Sequence, residues 1–157
     1  MLTGCLFENG VSVRILGDTS DLISMHKTVR KITVVIVDYE LKDTNVSNLL
    51  VDFLENIEKA IQSNLTVSDG FKSSWIELLM ISRLLRLLSG YVVTDELDEI
   101  NMLLLEYIIG KTISPANEQE YIVLNNYIEQ EFLCVNIKQF IKSFDCMINK
   151  KHSYEKH

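Results

Sequence analysis

A single proline in 157 residues leaves little to break helices or to build a stiff linker. Six glycines are also few, and no glycine-rich phosphate loop is spelled anywhere. Nucleotide hydrolysis therefore has no motif to stand on. The three cysteines, Cys5, Cys134 and Cys146, are odd in number and far apart, so they define neither a disulfide framework nor a zinc site. A reducing cytoplasm suits them best. Long apolar runs are missing too. The longest candidate, Trp75 to Val93, is interrupted by Glu77, Arg83 and Arg86, whereas a bilayer span needs about 20 mostly apolar residues. It reads as a buried core helix. Leu2-Thr3-Gly4-Cys5 has the form of a lipoprotein cleavage box, but no charged start and no apolar run precede it, so no cleavage is expected.

Basic surface is equally scarce. The net charge is −7, and the aromatics are not interleaved with a lysine or arginine stripe. Single-stranded nucleic acid requires such a stripe, and anionic membrane is repelled by acidic charge. Neither nucleic acid nor membrane is expected as a partner. No cofactor motif, metal cluster or nucleophile constellation emerges, so no cofactor is expected.

The chain does have concentrated acid. Residues 95–131 hold nine carboxylates and one base, Lys111, a local charge of −8. The remainder carries 13 acids and 14 bases, so the whole excess sits in this stretch. Four of the acids, Asp95, Glu96, Asp98 and Glu99, fall in the first turns of a predicted helix, where they complement its dipole. Glu106, Glu118 and Glu120 have no such explanation. The candidate partner-binding set is Asp95, Glu96, Asp98, Glu99, Glu106, Glu118 and Glu120, a face that would attract a basic protein.

An apolar content of 47% with 24% charged residues is that of a globular domain. One α+β domain is expected over residues 1–150, with a frayed polar tail at 151–157. Cys5-Leu6-Phe7 and Val11 to Leu16 flank Asn9-Gly10, a strong hairpin signal. A helix follows from Asp18 or Thr19 with Leu22, Met25, His26, Val29 and Ile32 inward. The β-branched run Thr33 to Val37 predicts a third strand. A bundle of about five helices is expected after residue 44. Val46 to Ile61 is the first, and Phe71 to Ser89 is the central one. The third is capped at Thr94 or Asp95, carries the apolar row Leu97, Ile100, Leu104 and Ile108, and stops at Gly110. The fourth opens at Ser114-Pro115 and runs to about Leu133, and the last starts near Asn136. His26 reads as a boundary residue. Arg83 and Arg86, on an otherwise apolar helix, need carboxylates or carbonyls, and at least one is expected to pair with an acid such as Glu77, Asp52 or Glu55.

The sequence Val34-Val35-Ile36-Val37-Asp38-Tyr39-Glu40-Leu41-Lys42 resembles the metal-binding half of the restriction-endonuclease-like nuclease motif. The resemblance covers residues 18–42 and implies that Asp38, Glu40 and Lys42, with Asp18 or Asp21 as the partner acid, hold magnesium and activate water. It lacks the family's leading proline and sets a helix between the motif's two halves. Val13 to Leu22, followed by His26 and Ile32, is similar to the opening of a group of small uncharacterised bacterial domains, which implies no chemistry.

The leading expectation is a non-catalytic, cytoplasmic, acidic binding protein, most concretely a bacterial immunity or antitoxin protein against a basic nuclease-type toxin. The alternatives are the magnesium-dependent nuclease and a homo-oligomeric helical module. The last is motivated by the apolar surplus Met102, Leu103, Leu105 and Ile109.

Overall fold

The computed structural model describes residues 1–7, 12–38, 45–63, 70–113 and 118–127. Strands β1 (Thr3–Phe7) and β2 (Ser12–Leu16) pair antiparallel, with Thr3 opposite Leu16 and Phe7 opposite Ser12. The Asn9-Gly10 turn lies outside the described residues, but the hairpin pairing it was expected to make is present. β2 is the central strand, because β3 (Phe71–Ser74) pairs antiparallel with its other edge. Along β2, Val13 and Ile15 are buried while Ser12, Arg14 and Leu16 are half-buried. That alternation belongs to a sheet with one face on a core.

The third strand is therefore not the one expected. Thr33 to Val37 continues helix α1 (Thr19–Asp38). Its residues fit the helical period: Leu22, Met25, Val29, Ile32 and Thr33 are all buried, and Val34 turns outward. The Thr33 hydroxyl donates to the Val29 carbonyl one turn back, at 2.7 Å. β-Branched residues lose only tenths of a kcal/mol each in a helix, about what one buried methyl group restores. Core burial outweighs strand propensity here.

The true third strand occupies the start of what reads as the central helix. Gly70 leads into it with φ of 63°, and a Cβ there would lie 1.8 Å from the Ile15 carbonyl oxygen. Only glycine lets the chain pass so close to β2. Ser74 then caps α3 (Trp75–Leu88), its hydroxyl accepting from the Glu77 N–H at 3.2 Å.

The other helices are α2 (Asn45–Ser63), α4 (Glu96–Ile113) and α5 (Glu118–Tyr127). A short 3₁₀ turn, Ser89–Tyr91, follows α3. The expected stop at Gly110 does not occur: α4 runs through it to Ile113, and nothing stands within 4 Å of where a side chain would be. An exposed helical glycine costs about 1 kcal/mol relative to alanine, too little to end a helix whose inner face is buried. The Ser114-Pro115 start, the continuation to Leu133, the helix from Asn136 and the tail at 151–157 lie outside the described residues.

Helix α3 lies at the centre of the core, burying Trp75, Leu78, Leu79, Ile81, Leu84, Leu85 and Leu88. α1 and α2 pack against each other, with Leu50, Phe53 and Ile57 inward. Phe53 meets Phe71 of β3 edge to face, ring centroids 5.5 Å apart. α4 lies against α3, α1 and β1. Among the described residues no helix is long and apolar enough to cross a membrane.

Candidate partner-docking face

The acids of α4 divide into two groups, those the fold uses and those it leaves to solvent. Asp95 and Asp98 cap α4 reciprocally. The Asp95 carboxylate accepts from the Asp98 N–H at 2.9 Å, and the Asp98 carboxylate accepts from the Asp95 N–H at 3.0 Å. This is a capping box built from two aspartates.

Asp98 then reaches inward, with a side chain only 5% exposed. It accepts from the Thr28 hydroxyl at 2.8 Å and from Lys31 Nζ at 2.6 Å. Asn101, one turn on, donates to Thr28 Oγ1 and to the carbonyl and hydroxyl of Ser24. The seam between α1 and α4 is thus a closed polar network, and no buried side-chain N or O among the described residues lacks a partner. Burial works against ionisation of Asp98. Its hydrogen bonds from Lys31, the Asp95 N–H and Thr28 outweigh that and hold its carboxyl below the usual range. The hydrogen bond to Asp98 also raises the pKa of Lys31.

Glu99 and Glu106 are held by α3. Arg86 donates to Glu106 through Nε at 2.8 Å and to Glu99 through a terminal nitrogen at 2.5 Å. Its pKa is raised accordingly, first by Glu106 and then by Glu99. An acidic partner from a neighbouring helix was expected for one of the two arginines. The partners prove to be these, not Glu77, Asp52 or Glu55. Arg83, one turn earlier, donates to the Asn125 side chain of α5 at 2.8 Å. Two arginines on α3 thereby tie down the two helices that follow.

Glu96, Glu118 and Glu120 remain. All three are exposed, and among the described residues none of them has an ion-pair partner or a side-chain hydrogen bond. Asp95 is mostly exposed and reaches Lys31 only at 3.5 Å. Across residues 95–127 seven carboxylates face Lys111 from the same stretch, Lys31 from α1 and Arg86 from α3. Among the described residues this leaves a balance of four negative charges. Of the seven expected docking residues, then, Asp98 is removed from solvent. Glu99 and Glu106 are half-exposed but already paired, and Asp95, Glu96, Glu118 and Glu120 are available.

Apolar surface accompanies the free acids. Glu120 borders an open groove of about 600 Å³ formed with Trp75, Ile76, Gln119, Val123 and Tyr127. Val123 and Tyr127 are 71% and 54% exposed. Sequence reasoning missed this groove because it treated Trp75 and α5 as separate elements. A second cleft, about 400 Å³, separates α1 from the start of α4, lined by Lys27, Arg30 and Lys31 but also by Asp95 and Asp98. Its charges are mixed, and Lys31 pairs there with Asp95 and Asp98.

Among the described residues, those of the nuclease resemblance are put to other uses. The segment ending in Asp38 is helical, Asp18 caps α1 through the Asp21 N–H at 2.8 Å, and Asp21 accepts from the Met1 amino group at 2.9 Å. Glu40 and Lys42 lie outside the described residues. Among the described residues no three His, Cys, Asp or Glu side chains group as metal ligands. His26 sits at the edge of the α1–α2 interface, its Nε2 2.9 Å from Glu58. Comparison with protein-family models, with curated proteins and with solved structures finds no match.

Proposed function

We propose that this chain is a non-catalytic binding protein whose acidic flank on α4 and α5 docks a basic protein. Its most concrete form is an immunity or antitoxin protein that covers the basic cleft of a nuclease-type toxin. The supporting observation is that Glu96, Glu118 and Glu120 stand exposed with no counter-charge among the described residues, although the fold supplies cations to other acids of the same stretch. Glu120 also edges an apolar groove, and an apolar centre with a charged rim is the usual anatomy of an interface between proteins. The acids steer the encounter and the groove sets how long the complex lasts. The nuclease reading loses its motivation, because the strand it needed is a helix.

The test is capture from nuclease-treated host lysate over a salt series, using wild type and the variant E96K/E118K/E120K in parallel. The expected result is one stoichiometric basic protein held by wild type, weakened by salt and lost by the variant. Retention of the same protein by the variant, or capture of none by either, contradicts the proposal.

A further inference from the structure

We infer that the outer face of α4 is a self-association surface, occupied by α4 of a second copy of this chain packed antiparallel. The helix has two apolar faces. Met102, Leu105, Ile108 and Ile109 are buried in its own core, which accounts for three of the four apolar residues that suggested oligomerisation from sequence. On the opposite side Leu97, Ile100, Leu103 and Tyr107 are 52%, 57%, 52% and 54% exposed. Half-buried Leu104 completes the row, beside a shallow groove with Met1 and Leu2.

Scattered exposed leucines need no explanation, but a contiguous row does. Taking each large side chain as about 200 Å² when free, this row leaves on the order of 400 Å² of apolar surface open, the size at which patches mark interaction sites. Its spacing is also specific. Leu97, Ile100, Leu104 and Tyr107 recur at three, four and three residues, the a and d positions of two heptads, and Lys111 takes the next a position.

Charge selects the occupant and its direction. Glu96 and Glu99 mark the N-terminal end of α4 and Lys111 the C-terminal end. A parallel copy would set acid against acid and align the helix dipoles. An antiparallel copy centred between Ile100 and Leu104 sets Ile100 against Leu104 and Leu97 against Tyr107. At 1.5 Å per residue, Lys111 then falls about one turn from the partner's Glu96. The face is complementary to itself, as a two-fold interface requires. Two such faces bury on the order of 800 Å², below the range of permanent dimers, so the association is weak and reversible.

Sedimentation velocity of the full chain, from about 1 μM to about 300 μM, tests this. A shift from monomer to dimer is expected. I100E, at a position more than half exposed, should keep its circular dichroism spectrum and weaken the dimer at least tenfold. E96K and K111E should each weaken it, and the double variant E96K/K111E should regain most of the loss. A chain that stays monomeric throughout overturns the proposal and leaves the row to another partner or to the chain's own residues. A dimer indifferent to I100E overturns the assigned face. Failure of the double variant to recover overturns the antiparallel pairing.

Discussion

Asp98 shows how one acidic residue can look like surface in the sequence and belong to the interior in the fold. Removing it as D98A strands the Thr28 hydroxyl and the Asp95 N–H and leaves the Lys31 ammonium without its buried partner. A loss of about 2 kcal/mol in urea unfolding is expected, the cost of leaving buried hydrogen-bonding groups unpaired, because the part-exposed Lys31 can regain water. The pH dependence follows in sign. The folded-state pKa of Asp98 lies below its unfolded value of 3.8, so its contribution is complete above that value and fades as pH falls through the lower one. Lys31 is shifted upward from 10.5, so its contribution is complete below 10.5 and fades only in stronger alkali. Urea melts across acid pH should show wild type losing stability below about pH 4, with a smaller loss for D98N over the same range. Gly70 is the other decisive single position. G70A must place a side chain at positive φ against the Ile15 carbonyl, and a loss on the order of 3 kcal/mol is expected in the same assay. An unchanged midpoint would mean that β3 does not approach β2 as described.

Among the elements, α3 and α4 are joined by Arg86, which clamps Glu106 and Glu99 across the helix pair. Because all three side chains reach solvent, R86M should cost only about 1 kcal/mol, and the difference from wild type should shrink in molar salt. A loss that salt does not change would make Arg86 a packing residue rather than an ionic one. At this scale the sequence was legible wherever periodicity was long. The apolar faces of α1 and α2 and the two hairpin strands stand where spacing put them, but of the row expected on α4 only Ile108 is buried, while Leu97 and Ile100 are more than half exposed. It misled where local propensity and core burial disagreed, as at Thr33 to Val37. β3 was hidden because four residues are too short to show a period, and Trp75 extends the apolar run behind it. Two signals did mark the junction: the Asp69-Gly70 turn residues, and Ser74 followed three residues later by Glu77. Of the docking set, Glu96, Glu118 and Glu120 are exposed as charged residues ordinarily are, while Asp98 in the same stretch is not. The pairing of Glu99 and Glu106 depends on which helix lies beside α4, which sequence cannot supply.

For the molecule as a whole, the acidic stretch serves two purposes. Part of it pins α4 to α1 and α3 through Asp98, Glu99 and Glu106, each matched by a cation from another helix. The rest, with the apolar groove beside Glu120, stays on the surface as an unbalanced field. Reversing exposed acids should therefore leave stability within about 0.5 kcal/mol of wild type, while reversing the paired ones should not. The central claim is that this field recruits a basic protein. The most direct measurement is the association rate of the captured partner with wild type and with E96K/E118K/E120K as ionic strength is raised. A wild-type rate that falls steeply with salt is expected, with a variant rate at least tenfold lower at low salt and nearly flat. Equal rates with the same salt slope for both proteins would contradict the claim.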